Sequence, residues 1–122
     1  MGKKILVVDD EEDITALVKT LLEDEGYKVN AAKNGEEGLT KLKKDKFDLV
    51  LIDMFMPGIS GREMCERMRK DPKIKDTKCA FLTVAQFGPE GEKEIQKLGC
   101  LDYIKKPVEN NDFKKRIKNI LK

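Results

Sequence analysis

The 122-residue chain contains no histidine, which removes every reaction that depends on an imidazole base, nucleophile or ligand. Its cysteines number three, Cys65, Cys79 and Cys100, and none stands in a C-x-x-C pair, so a zinc site is set aside as well. The odd count suits reduced thiols in a cytoplasmic protein, with all three expected to pack as small buried hydrophobes. No apolar run approaches the roughly 20 residues that cross a bilayer. The opening "MGKKILVVDD" is positively charged, but its apolar run stops at acids without a small-residue cleavage site, so no signal peptide is expected. An excess of one charge is also missing. Lys and Arg total 25 against 23 Asp and Glu, a formal +2, whereas a domain built to grip nucleic acid carries a marked basic surplus.

What is present is strong patterning. Hydrophobic and charged residues each make up 39% of the chain, and no linker, repeat or low-complexity stretch interrupts them, so one domain is expected over 1–122. Short apolar runs alternate with amphipathic segments. "KILVV" (4–8) is followed by Ile14, Leu17, Val18, Leu21 and Leu22 at helical spacing, with Gly26 as a stop. A weaker strand, "KVNAA" (28–32), precedes a helix that opens on Asn34 as N-cap, with Glu37 three residues on. "DLVLI" (48–52) leads to a second capping pair, Ser60 and Glu63, ahead of Met64 and Met68. "CAFL" (79–82) is followed by a short helix marked by Ile95 and Leu98 and ending at Gly99. "DYIK" (102–105) precedes a last helix whose inner stripe is Phe113, Ile117, Ile120 and Leu121.

Five strand-then-helix units predict an α/β fold: a doubly wound three-layer sandwich around a parallel five-stranded sheet. The first, third and fourth strands are apolar throughout, as central strands are, and the second and fifth are more polar, as edges are. The order 2-1-3-4-5, that of flavodoxin-like sheets, satisfies this.

Ligands of such sheets bind beyond the carboxyl ends of the strands, where the strand order reverses. Asp9 and Asp10 follow the first strand there, Asp53 the third, Thr83 the fourth, and Lys105 and Lys106 the fifth, before Pro107. Singly, each has an ordinary explanation as a cap, a β-former or a solvated charge. Together they put three carboxylates, a hydroxyl and an ammonium on one rim. Adjacent like charges at a helix start need a cation, and oxygen donors without Cys or His suit a hard one such as Mg²⁺. With that cation on one side and Lys on the other, a phosphoryl group is the natural guest, and a carboxylate between them can attack phosphorus in line.

The segments "ILVVDDEE" (5–12), "DLVLIDMFMPGISG" (48–61), "FLT" (81–83) and "DYIKKP" (102–107) occur in an order and spacing that resemble the receiver domain of two-component response regulators, the single-domain chemotaxis-regulator type included. The resemblance implies a phosphorylation-activated signalling switch. In it, Asp53 is the phosphoacceptor and Asp9, Asp10, Asp53 and the backbone carbonyl of Phe55 hold Mg²⁺ (or Mn²⁺), Asp9 mainly through water. Lys106 pairs with the phosphoryl oxygens next to a cis Lys106–Pro107 peptide, and Lys105 points elsewhere. Thr83 hydrogen-bonds the phosphoryl group, and Tyr103 holds the aromatic switch position, although from the residues alone it is equally an edge-strand aromatic filling a surface groove. The implied partners are a sensor histidine kinase or a histidine phosphotransfer protein, and a downstream protein target or fused output domain that reads the fourth helix, fifth strand and fifth helix, roughly residues 89 to 122. Such a chain is expected to catalyse its own aspartyl phosphorylation and dephosphorylation without being a metabolic enzyme.

Other readings of the acids fail on spacing. An EF-hand loop needs Gly at its sixth position, where counting from Asp9 gives Ile14. Five acids after the first strand would repel an FMN phosphate, and the G-x-G-x-x-G of dinucleotide-binding folds is absent. A haloacid-dehalogenase-type phosphatase needs D-x-D where this chain has Asp9, Asp10 and Glu11, and room for a cap. A degenerate receiver acting only as a protein-interaction module is the non-enzymatic alternative, but it would have lost members of the acidic set or the Lys. The C-terminal "KKRIKNILK" reads as a core-packed helix with a solvated basic face, so neither DNA nor membrane contact is expected of it.

Two departures from the family pattern stand out. Val84 follows Thr83 where Ala or Gly is usual, which narrows access to the site. Phe55 and Ala85, at the variable flanking positions, offer no polar group to hold an attacking water, so a long-lived acyl phosphate is expected. Phe55→Asn should therefore speed loss of phosphate from the phosphorylated protein, and an unchanged decay rate would count against this reading.

Overall fold

The computed structural model describes residues 2–84 and 88–122. Its elements alternate strictly: β1 (Lys4–Val8), α1 (Glu12–Asp24), β2 (Lys28–Ala32), α2 (Gly35–Lys44), β3 (Leu49–Asp53), α3 (Gly61–Lys70), β4 (Cys79–Thr83), α4 (Pro89–Lys97), β5 (Cys100–Lys105) and α5 (Asn110–Ile120). The strands form one parallel sheet in the order β2-β1-β3-β4-β5, as the strand compositions predicted. β1, β3 and β4 are buried almost end to end, whereas β2 and β5 alternate between exposed and buried residues at the edges.

Alternation along the strands splits the core into two layers. Leu6, Val8, Val50 and Ile52 face Leu39, Met64, Met68 and Ile95 of α2, α3 and α4. Ile5, Val7, Leu49 and Leu51 face Val18, Leu22, Phe113 and Ile117 of α1 and α5. Among the described residues no helix is long and apolar enough to cross a membrane. The capping signals work as expected: Asn34 accepts from the Glu37 amide at 2.8 Å and Ser60 from the Glu63 amide at 3.1 Å.

β5 starts at Cys100, two residues before the run read from sequence. Cys100 pairs with Cys79 across an irregularity in the β4–β5 register, and the Arg69 guanidinium secures the approach by donating to the carbonyls of Leu98 (2.6 Å) and Thr77 (2.7 Å). The three cysteines are free and buried, with the sulfurs of Cys65 and Cys79 3.4 Å apart.

Two glycines shape the β3–α3 connection that carries the acid of β3. Gly58 turns the chain at φ 80°, a conformation that disfavours side chains. Gly61 lets the start of α3 press against β3, since a Cβ there would lie 2.2 Å from the Asp53 carbonyl oxygen. Gly61→Ala is therefore expected to cost about 1–3 kcal/mol of unfolding free energy, measurable by urea denaturation.

Candidate functional site

The register of the sheet dictates which residues meet at its carboxyl edge. Val8 pairs with Ile52, Asp53 with Leu82, and Thr83 with Lys105, so Asp9, Asp53, Thr83 and Lys106 emerge side by side. Backbone hydrogen bonds carry the ladder a step further, with the Asp9 amide donating to Ala32 (3.1 Å), the Met54 amide to Leu82 (3.0 Å) and the Lys106 amide to Thr83 (2.8 Å). The site is thus mounted on paired strand ends, which hold side chains more tightly than loops do.

Asp9, Asp53, Thr83 and Lys106 are the buried polar residues among those described. Oxygens of Asp9, Asp10 and Asp53 lie within 4.8 Å of one another, with only Asp10 exposed. The Lys106 ammonium sits 2.8 Å from Asp9 Oδ2, 3.3 Å from Glu11 Oε1 and 3.5 Å from Asp53 Oδ1. Strand alternation leaves Lys105 exposed, and the Lys106–Pro107 peptide is cis. The amides of Glu11 and Phe55 donate back to Asp9 Oδ1 (2.9 Å) and Asp53 Oδ1 (3.3 Å), which orients both carboxylates.

One ammonium facing three carboxylates leaves the charge unbalanced. Burial, and then repulsion from Asp9, lift the Asp53 carboxyl to about 6 against the partial relief of Lys106. Burial pulls the Lys106 ammonium down, but contact with Asp9 and the charges of Asp53 and Asp9 outweigh it, and the net shift is upward. Asp9 Oδ2 is fully buried and takes its charge balance from the Lys106 ammonium at 2.8 Å. Three carboxylates whose oxygens converge, with one ammonium among them and no sulfur or imidazole donor, fit a hard divalent cation.

Asp9, Asp10, Asp53, Thr83 and Lys106 thus lie on this rim, whereas Tyr103 sits farther down β5, opposite Phe81. Phe55 and Val84 flank it with 60% and 66% of their surface exposed, and Ala85 lies outside the described residues. An open cleft of about 400 Å³ lies beside Asp10, lined also by Lys33, Asn34 and Pro57. A larger cleft, about 510 Å³, lies at the opposite end of the strands between Leu42–Phe47 and Lys73–Thr77, but it gathers no acids around a buried cation. Sequence reasoning overlooked two contacts. Glu11 reaches Lys106, for which its place in the acid run was the only signal, and Tyr103 donates its hydroxyl to Glu92 of α4, for which there was none.

Comparison with known proteins agrees with this geometry. The model of the response regulator receiver domain matches residues 5–118. The alkaline phosphatase synthesis transcriptional regulatory protein PhoP of Bacillus subtilis is 37% identical over 123 residues, covering 100% of this chain and 50% of that protein. The phosphate regulon transcriptional regulatory protein PhoB of Rhizobium meliloti is 35% identical over 124 residues, covering 100% and 53%. The chain thus spans about half the length of these curated relatives. Among solved structures, the chemotaxis protein CheY4 of Vibrio cholerae superposes with a TM-score of 0.91 at 31% identity, over 99% of this chain and 100% of that one. The response regulator TrrA of Thermotoga maritima, solved in complex with Mg²⁺ and beryllium fluoride, superposes with a TM-score of 0.83 at 39% identity, over 98% and 99%.

Because the folded value of Asp53 (about 6) exceeds its ordinary 3.8, folding favours the protonated form between those limits, and stability falls as pH rises through them. In metal-free buffer, Asp53→Asn should accordingly raise the melting temperature near neutral pH, and the gain should fade as pH drops toward 3.8. Adding Mg²⁺ should stabilise the intact protein more than this variant, and chelation should reverse the difference; differential scanning fluorimetry across pH checks both.

Proposed function

The chain belongs to the response regulator receiver domain family, and from that premise we propose that it is a phosphorylation switch whose acceptor is Asp53. The observation that carries this reading is the buried Asp53 carboxylate with the buried Lys106 ammonium 3.5 Å away and the Asp9 and Asp10 carboxylates converging beside it. A carboxylate oxygen of Asp53 attacks phosphorus, forming an O–P bond as the bond to the donor breaks and the electron pair leaves with the donor. With a phosphohistidine donor that bond is P–N, and the imidazole takes the pair and a proton. Because Asp53 titrates near 6, it is mostly ionised, and so nucleophilic, at neutral pH.

Asp9, Asp10, Asp53 and the Phe55 carbonyl would hold Mg²⁺ (or Mn²⁺). When bound, the ion offsets the crowded carboxylate charge and the negative charge of the incoming phosphoryl oxygens. Lys106 supplies the opposite clamp: its ammonium, now shared among Asp9, Glu11 and Asp53, moves onto a phosphoryl oxygen. The Thr83 hydroxyl, buried at the end of β4, donates to another. Phe55 and Val84 cover the approach and limit entry of water.

Receiver domains take their phosphoryl group from histidine kinases and act on output targets. For this chain we assign a sensor histidine kinase or a histidine phosphotransfer protein as donor, in the cytoplasm, and a partner or fused output domain that reads α4, β5 and α5. The curated relatives of about twice its length are transcriptional regulators, which favours a gene-control output. The solution of TrrA with Mg²⁺ and beryllium fluoride makes the same mimic the natural probe here.

With acetyl phosphate and Mg²⁺, intact-mass measurement should show one added phosphoryl group, lost in Asp53→Ala, and beryllofluoride binding should disappear in the same variant. If the intact protein takes up neither, a phosphate-independent interaction module is the better description.

A further inference from the structure

The three cysteines, far apart in the sequence, meet on the side of the sheet covered by α3 and α4. Cys79, at the start of β4, stands between the other two. Its sulfur lies 3.4 Å from that of Cys65 in α3, and the sheet register pairs it with Cys100 at the start of β5. The Arg69 guanidinium also comes within 3.4 Å of the Cys79 sulfur.

Their surroundings divide the three by reactivity. Cys65 and Cys79 are wholly shielded. The Cys65 thiol is pushed up by its hydrogen bond with Cys79 and by burial, and the Cys79 thiol is pushed up to about 12 by its hydrogen bond with Cys100 and by burial. Cys100 differs. It is 8% exposed against 0% for the others, and it lines a cleft of about 200 Å³ between α4 and β5 together with Ile95 and Gln96. Its thiol donates to the Asp102 carbonyl at 2.8 Å, yet hydrogen bonds with Cys79 and then with the backbone of Asp102 and Phe81 hold it below the ordinary cysteine range. Thiolate character and access together mark the cysteine that an oxidant reaches first.

We propose that the cluster is a peroxide-oxidised thiol site in which Cys100 receives the oxidant and Cys65 and Cys79 end as a disulfide. The Cys100 sulfur attacks hydrogen peroxide and the O–O bond breaks; one oxygen stays as a sulfenic acid and the other leaves as water. The Cys79 sulfur then displaces the sulfenic oxygen, which departs with the Cys79 proton as a second water, and a Cys79–Cys100 disulfide forms. Arg69 beside Cys79 favours the thiolate that makes this attack. Cys65, 3.4 Å from Cys79, attacks the Cys79 sulfur in turn, and Cys100 leaves as a thiol carrying the Cys65 proton. Cys65 and Cys79 have then each given up one electron and one proton, and the peroxide has become water. The new bond ties α3 to β4. Where thiols are otherwise kept reduced, such a bond is transient and registers oxidant. Asp53 takes no part, so this chemistry is independent of phosphoryl transfer.

The test treats the reduced protein with hydrogen peroxide in metal-free buffer and then alkylates it with iodoacetamide in denaturant. Intact mass should show one alkylated cysteine, against all three in the reduced protein and after dithiothreitol. The non-reducing tryptic map should join the Cys65 and Cys79 peptides. Cys100→Ser should slow the loss of thiols by about tenfold or more, because peroxide must then react with shielded sulfurs. In Cys79→Ser, dimedone should label Cys100, whose sulfenic acid has lost its partner. Full alkylation after peroxide, a different lasting pair, a bond between two chains, or an unchanged rate in Cys100→Ser would each overturn the site. The alkylation count and the map of the unaltered chain need no substitution, so they decide the matter even where a variant misfolds.

Discussion

Three carboxylates held against one ammonium at the end of a buried sheet is the electrostatic constraint on which the rest of this structure depends. Left in water, Asp9, Asp10 and Asp53 would separate. On paired strand ends they cannot, because moving any of them requires breaking ladder hydrogen bonds such as that from the Asp9 amide to Ala32. The repulsion is therefore retained in the fold, and it surfaces as the raised Asp53 carboxyl and the triply shared Lys106. Positive charge entering the site would relieve both, so the strain and the proposed preference for a cation have one origin.

Rigidity and looseness are divided accordingly. β1, β3 and β4 are packed on both faces, and Gly61 lets α3 close down on the backbone of Asp53. Asp53 thus sits in a closely packed part of the molecule, as its proposed role of in-line nucleophile would require. On the outer side of the sheet, α4 buries Ile95 alone, its C-cap carbonyl at Leu98 accepting from the Arg69 guanidinium and Glu92 from the Tyr103 hydroxyl. A small displacement at a rigid site moves most readily what is weakly held, so under the proposed function this side of the sheet would report the state of Asp53.

Much of this was legible beforehand, for identifiable reasons. Strands buried on both faces must be continuously apolar, so β1, β3 and β4 announced themselves, and the more polar β2 and β5 fell to the edges. Asn34 and Ser60 marked helix starts because the unpaired amides there demand an acceptor. The beginning of β5 was misplaced because Cys100 and Leu101 join the sheet through an irregular register and the Arg69 guanidinium, neither of which leaves a local pattern. Glu92 was invisible for a related reason: an acid on an exposed helix looks like solvated charge until the partner eleven residues later is brought beside it.

By itself the sequence determined the alternation of strands and helices, the sheet order and the residue types delivered to its carboxyl edge, because these follow from periodicity and from the rules of parallel sheets. Only the tertiary structure decided how those residues share their charge: that Lys106 leans toward Asp9 and Glu11, that Asp53 is lifted to about 6, and that Tyr103 is tied to α4. Such balances depend on distances of an ångström and on the exclusion of water, which exist only once the strands have been laid side by side.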